Sequence, residues 1–206
     1  MNILWDFRLF SYGYRDRGVG EYTRRVSRAL MKRGLPGTLY IWGRKEHVAR
    51  DMRRWPARWI PYNGNGDWKA DLLTIPGLIL RHRICCFHYW VALGPLYTVG
   101  MGLLHPCRVV ASVYDLGVEQ WEEDPFLRAR RESRYWTMQK RCLPRGCAVA
   151  ADSGATRDAC KAFFGPDDKR VYEAIYPAPK PFVASVDPPA AGRPFFMSLR
   201  GSPTKN

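Results

Sequence analysis

Hydrophobic and polar positions along this chain switch repeatedly between a strand period and a helix period. Residues 2–7 are a short apolar run of strand length, followed by a loop rich in Gly, Tyr and Arg. Over 20–33, Tyr22, Val26, Ala29 and Leu30 share one face while Arg24, Arg25, Arg28 and Lys32 lie elsewhere. That spacing predicts an amphipathic helix stopped by Gly34. A second strand is predicted at 38–42, and a helix at 46–55 that ends before Pro56. A helix over 68–81, broken around Pro76 and Gly77, leads into a strand at 84–88. Residues 108–114 form the clearest central strand, continuous and β-branched. A long charged helix is predicted at 125–143 and a strand at 147–151. Ser153 then caps a helix that runs to Phe164, and a last strand follows at 171–176.

Strands that alternate with helices at these lengths predict an α/β fold, a Rossmann-like parallel sheet with helices on both faces. Ligands of such sheets bind at the carboxyl ends of the strands, which here carry Asp6, His88, Asp115 and Ser153. The domain organisation expected is one domain over 1–178 and a Pro-rich linker over 179–193. The first strand and turn of a second domain follow at 194–206.

Apolar side chains make up 46% of the 206 residues, which excludes general disorder and suffices for a real core. The formal charge of +14 implies an anionic partner: a membrane surface, a nucleic acid or a phosphorylated ligand. Nucleic acid is not expected, because no helix-turn-helix, zinc-finger or stacking-platform signature accompanies the charge. The six cysteines show no paired CxxC spacing and no secretory signal precedes them. Reduced thiols in the cytoplasm, without a metal site, are the expectation. Residues 84–104 carry no formal charge and are long enough to span a bilayer. His88, Gly94, Pro95, Gly100 and Gly102 instead divide that stretch into a strand, a loop and a short helix, which predicts a soluble chain.

Val48, Met52, Trp55 and Trp59 recur at near-helical spacing, with Arg50, Arg53, Arg54 and Arg58 between them. One reading is a helix docked apolar face down on an anionic bilayer, as a peripheral contact at the inner face of the membrane. The other is a surface helix packing its stripe on the sheet.

Four segments, in order, resemble the amino-terminal half of the GT-B glycosyltransferases of family 4. Gly18-Val19-Gly20-Glu21-Tyr22-Thr23 is similar to the family's Gly-Ile-Gly-Arg-Tyr-Thr, and Val113-Tyr114-Asp115-Leu116 to its Val-His-Asp-Leu. Residues Ala151 to Asp158 resemble the strand leading into Ser-Glu-Ala-Thr-Arg-Arg-Asp. Ser198-Leu199 through Pro203-Thr204-Lys205-Asn206 resemble the Gly-Ser-Leu…Pro-Arg-Lys-Asn that opens the second domain. The resemblance implies two Rossmann-like domains facing across a cleft, the first binding the acceptor and the second a nucleotide-sugar donor. It implies sugar transfer with retention of configuration and no required metal or cofactor, the nucleotide-diphosphate sugar being a substrate. Acceptors of such enzymes are glycans or lipid-linked precursors of surface polysaccharides. Tyr114 stands where many members have histidine, Ser198 replaces a glycine, and the family's spaced glutamate pair belongs to the second domain. The chain by itself is therefore expected to be inactive without a donor domain.

On this reading Asp115 and His88 are the candidate catalytic residues. Asp115 would orient or deprotonate an acceptor hydroxyl, and His88 would hold a sugar hydroxyl or transfer a proton. Gly18, Gly20 and Lys205 would meet the donor phosphates, the glycines by letting a helix start approach an anion closely. Tyr114 and Ser153 would line the acceptor site. Each has a plainer reading: a loop aspartate, a core histidine, a glycine turn, a solvated lysine and, for Ser153, a helix cap. A binding module, holding an anionic glycan or membrane without catalysis, is the alternative for the whole chain.

Overall fold

The computed structural model describes residues 1–12, 14–64, 73–90, 107–114, 148–165 and 170–176. The elements are β1 (Asn2–Asp6), α1 (Gly18–Arg33), β2 (Thr38–Gly43), β3 (Ala57–Pro61) and α2 (Ile75–Arg81). They continue with β4 (Cys86–Tyr89), β5 (Arg108–Val113), β6 (Ala148–Ala151), α3 (Gly154–Phe164) and β7 (Val171–Ala174). The strands form one 7-stranded sheet in the order β3-β2-β1-β4-β5-β6-β7, and every neighbouring pair is parallel. This is the α/β, Rossmann-like sheet that the alternation predicted. The order grows outward in both directions from the β1–β4 junction. A reversal of this kind opens a crevice at the strand carboxyl ends.

Parallel strands covered on both faces lose the alternation of a half-buried strand. All but the first residues of β1, β2 and β6 are accordingly buried, whereas the edge strand β7 alternates between covered and exposed positions and the edge strand β3 exposes Arg58 and Pro61. The register puts Trp5, Ile41, Trp59, His88 and Val110 on one face and Leu4, Tyr40, Phe87 and Val109 on the other. The core around β1 is aromatic. Trp5 meets Trp90 and Trp55 edge-on, at ring separations of 5.6 and 6.0 Å, and Phe7 meets Phe10 at 5.1 Å. Such contacts add about 0.5–1.5 kcal/mol each beyond the area they bury.

The helix expected at 46–55 does not form. Two 3-10 turns stand there instead, Lys45–His47 and Met52–Arg54, followed directly by β3. Arg53 explains part of the difference. Its guanidinium donates to the carbonyls of Val48 (3.0 Å) and Glu46 (2.6 Å), satisfying acceptors that helical N–H groups would otherwise have taken. Val48 and Met52 are core residues, and Trp59 belongs to a strand paired with β2. The apolar stripe read as a bilayer-docking face thus points inward, and its periodicity reflects packing on the sheet.

Among the described residues no helix is long and apolar enough to cross a membrane. The predicted helix at 125–143, most of the uncharged stretch at 84–104, the linker and the start of a second domain lie outside the described residues.

Candidate functional site

At the carboxyl end of β1, Asp6 and Arg8 are 3% and 1% exposed. Arg8 reaches back two residues and grips the carboxylate with both edges of its fork. Nε lies 2.9 and 3.1 Å from the two oxygens, and Nη2 lies 2.6 Å from Oδ2. The backbone N–H of Arg8 adds a bond of 3.1 Å to Oδ1. The guanidinium also lies over the Trp42 ring at 4.1 Å and near Tyr62 at 5.7 Å, and Tyr62 shares a 2.7 Å hydroxyl contact with Tyr12. This strand end is electrically closed, since each charge is matched inside the fold. Asp6-Phe7-Arg8, two opposite charges flanking an aromatic at the end of an apolar run, is the signal that could have revealed it.

His88 sits on β4, 6% exposed, with Nε2 2.9 Å from the Ser112 hydroxyl on β5. Its ring stacks on Trp90 at 3.8 Å. Burial pushes its pKa down to about 3, so the ring is neutral at ordinary pH. In this position it ties β4 to β5.

Three of the segments that carry the family resemblance converge beyond β5 and β6. The hydroxyl of Thr23, in the first part of α1, donates to the carbonyl of Val19 (2.9 Å). That proton being committed, the 3.0 Å contact between Tyr114 and Thr23 has the Tyr114 hydroxyl as donor. On the other side, Thr156 of α3 donates from Oγ1 to the Tyr114 carbonyl (3.2 Å), while Ser153 donates to Thr156 Oγ1 (3.0 Å). Ser153 also caps α3, its oxygen accepting from the Thr156 N–H at 3.1 Å. Tyr114 is therefore the joint between the starts of two helices.

Tyr22 completes the cluster. Its ring meets that of Tyr114 edge-on at 5.1 Å, and its hydroxyl is buried without a hydrogen-bond partner among the described residues. Burial, reinforced by the negative charge of Asp152, raises its pKa well above the ordinary tyrosine value, and burial does the same to Tyr114. Both phenols stay protonated and remain hydrogen-bond donors. Periodicity had placed Tyr22 only as an apolar face position, because spacing does not report where a hydroxyl points.

The two glycines at the start of α1 differ. A Cβ on Gly20 would lie 2.4 Å from the carbonyl oxygens of Tyr14 and Arg15, so close backbone packing alone requires glycine there. A Cβ on Gly18 would meet nothing within 4 Å. The helix begins at Gly18, two residues earlier than predicted, with no side-chain cap on its first N–H groups. Glu21 supplies the acid of its first turn and pairs with Arg24 (3.1 Å) and Arg25 (2.9 Å). The N-terminus of α3 is more occupied, because the Gly154 N–H donates to the Tyr176 hydroxyl at 2.7 Å.

The structure thus gathers Gly18, Gly20, Tyr114 and Ser153 at one end of the sheet and leaves His88 inside it. Asp115 and Lys205 lie outside the described residues. Among the described residues, no group of three or more His, Cys, Asp or Glu side chains is arranged to hold a metal ion. What the cluster offers chemically is directed hydrogen bonding from helix-start N–H groups to an oxyanion or a hydroxyl-rich ligand. Comparison of the chain with protein-family models, with curated proteins and with solved structures finds no match.

Proposed function

We propose that this chain is the acceptor-binding half of a glycosyltransferase, moving a sugar from a nucleotide-sugar donor to a glycan or lipid-linked acceptor in surface polysaccharide synthesis. One observation carries the reading. Three segments resembling the family 4 motifs, far apart in sequence, are hydrogen-bonded to one another at the carboxyl end of a parallel sheet, through Tyr114.

In this proposal α1 presents its first N–H groups to the donor phosphates, with Gly18 exposing the backbone. A second domain supplies the nucleotide site, including Lys205 and the family's glutamates. Asp115 follows directly on Tyr114 and would orient the acceptor hydroxyl. The transfer needs no metal on this reading, because the helix start and a lysine balance the charge on the leaving diphosphate.

The test is transfer of labelled sugar from a panel of nucleotide sugars to lipid-linked acceptors, with the chain joined to a GT-B donor domain. Transfer that disappears in Asp115→Ala supports the proposal. Absence of transfer across the panel, together with salt-sensitive binding of an anionic glycan, would replace it with the binding-module reading.

A further inference from the structure

Helix α2 is apolar on more than its inner side. Ile75, Leu78 and Ile79 are buried, whereas Leu73 just before the helix and Leu80 near its end are 71% and 67% exposed. Leu73, Gly77 and Leu80 stand at i, i+4 and i+7, which is one face of a helix, and all three are exposed. A Cβ on Gly77 would meet nothing within 4 Å, so this face is open. A helix with apolar residues on both sides belongs between two apolar partners, and among the described residues only the inner side is covered.

The carboxyl end of the same helix is positively charged. Arg81 ends α2 and Arg83 follows it, both exposed. Between them, the His82 carbonyl accepts from the Asn2 side-chain amide at 2.7 Å, and the His82 ring lies 4.8 Å from that of Tyr40. Arg58, exposed on β3, lies over the same Tyr40 ring at 5.7 Å. Burial lowers the His82 pKa, and Arg81 and Arg58 lower it further, so both cations act on one spot. Among the described residues no carboxylate pairs with Arg58, Arg81 or Arg83.

We propose that this face of α2 is a docking surface for an anionic lipid bilayer, with Leu73 and Leu80 entering the headgroup region and Arg58, Arg81 and Arg83 meeting lipid phosphates. Charge decides the occupant. Pairing of the face with its own copy about a two-fold axis would set one arginine cluster against the other. A bilayer offers an apolar layer beneath a negative one, and arginine lays its stem along the first while its guanidinium binds the second. The surface is distinct from the stripe over residues 46–59, whose Val48 and Met52 are core. It stands whether or not the chain takes part in sugar transfer.

The test is co-sedimentation of the full chain with vesicles of phosphatidylcholine alone and of phosphatidylcholine mixed with phosphatidylglycerol, at low and at high salt. The expected result is binding to the mixed vesicles only, weakened by salt. Leu73→Asn with Leu80→Asn should weaken that binding about tenfold, and each of Arg58→Gln, Arg81→Gln and Arg83→Gln roughly fivefold. Lys32→Gln with Arg33→Gln, exposed charges at the end of α1, should weaken it less than any one of these. Gly77→Leu extends the apolar face and should tighten it. Failure to bind the mixed vesicles overturns the proposal, and so does binding that the leucine pair leaves unchanged or that Lys32→Gln with Arg33→Gln weakens equally. Capture of polyglutamate in preference to the mixed vesicles would put an acidic protein in place of the bilayer. Urea midpoints show whether the variants fold. If the leucine pair does not, Gly77→Leu decides, and unchanged binding there overturns the proposal.

Discussion

The carboxyl ends of β1 and β5 face the same side of one sheet, yet they treat polar groups in opposite ways. At β1 the charges of Asp6 and Arg8 neutralise each other through a two-pronged contact, and Trp42 and Tyr62 cover the guanidinium. At β5 the described contacts of Tyr114 are hydrogen bonds. Neutral hydroxyls pass hydrogen bonds from Ser153 through Thr156, and from Tyr114 through Thr23, while the Tyr22 hydroxyl ends in a buried position with no described partner. A closed electrostatic pair stabilises a fold and has little left for a ligand. A chain of neutral hydroxyls carries no buried charge that a change nearby would leave unpaired. The chemistry proposed for this protein accordingly belongs to the β5–β6 end, with β1 as its rigid support.

The sharpest way to break that contrast is at Arg8. Arg8→Ala leaves the Asp6 carboxylate buried and unpaired, and should cost about 3–5 kcal/mol in urea unfolding. Replacing both partners by apolar residues, Asp6→Leu with Arg8→Met, should recover most of the loss. A loss below about 1 kcal/mol for Arg8→Ala would show that water reaches the pair and that β1 is not closed.

Acid probes the region between the two ends, through His88. Its pKa in the folded state, about 3, lies below its ordinary 6.5, so the unfolded chain takes up the proton first. The stability gained by keeping the ring neutral is whole above about pH 6.5 and is lost as pH falls from there toward 3. The slope should reach at most about 1.4 kcal/mol per pH unit. His82, also lowered by burial and by Arg81 and Arg58, acts in the same direction. Urea midpoints compared at pH 7 and pH 5 should fall more steeply for the natural chain than for His88→Gln, and parallel curves would remove His88 from the account.

At the start of α1 the two glycines should separate stability from recognition. Gly20→Ala forces a Cβ onto two carbonyl oxygens and should cost about 1–3 kcal/mol. Gly18→Ala meets open space and should stay within about 0.5 kcal/mol, so any loss of ligand binding there is a binding effect. Similar unfolding midpoints for both variants would mean that the loop from Tyr14 to Arg17 yields easily.

The smallest effect is the finest comparison. Tyr114→Phe removes a made hydrogen bond and should lose about 1 kcal/mol, whereas Tyr22→Phe removes a buried hydroxyl with no partner among the described residues and should be neutral or slightly stabilising. A loss for Tyr22→Phe equal to that of Tyr114→Phe would show that the Tyr22 hydroxyl has a partner after all.

Much of the fold was legible because its signals are local. The continuous β-branched run of β5, the Ser153 cap and the amphipathic face of α1 each state their structure within a few residues, and each forms as read. The segment from Glu46 to Trp59 misled because a stripe that packs inward has nearly the same spacing whether a helix or a pair of turns and a strand carries it. The candidate site was legible as residue types at strand ends and not as contacts. Ser153 and Tyr114 were named, but Thr23, Thr156 and Tyr22 were not, since a hydroxyl shows its role only when its partner arrives from a distant segment.

The order of polar and apolar periods thus determined by itself that this chain builds a parallel α/β sheet, because a strand buried on both faces and a helix buried on one leave different local patterns. The tertiary structure alone decided which polar groups would be spent on one another. Asp6 and Arg8 stand two residues apart and could have faced water, and they became a buried pair because Trp42 and Tyr62, from later in the chain, came to cover them. Tyr22, Tyr114 and Thr156 came together only because the strand order brings β5 and β6 under the starts of two helices. Burial turns such a meeting into chemistry, since it removes the water that would otherwise satisfy each group separately.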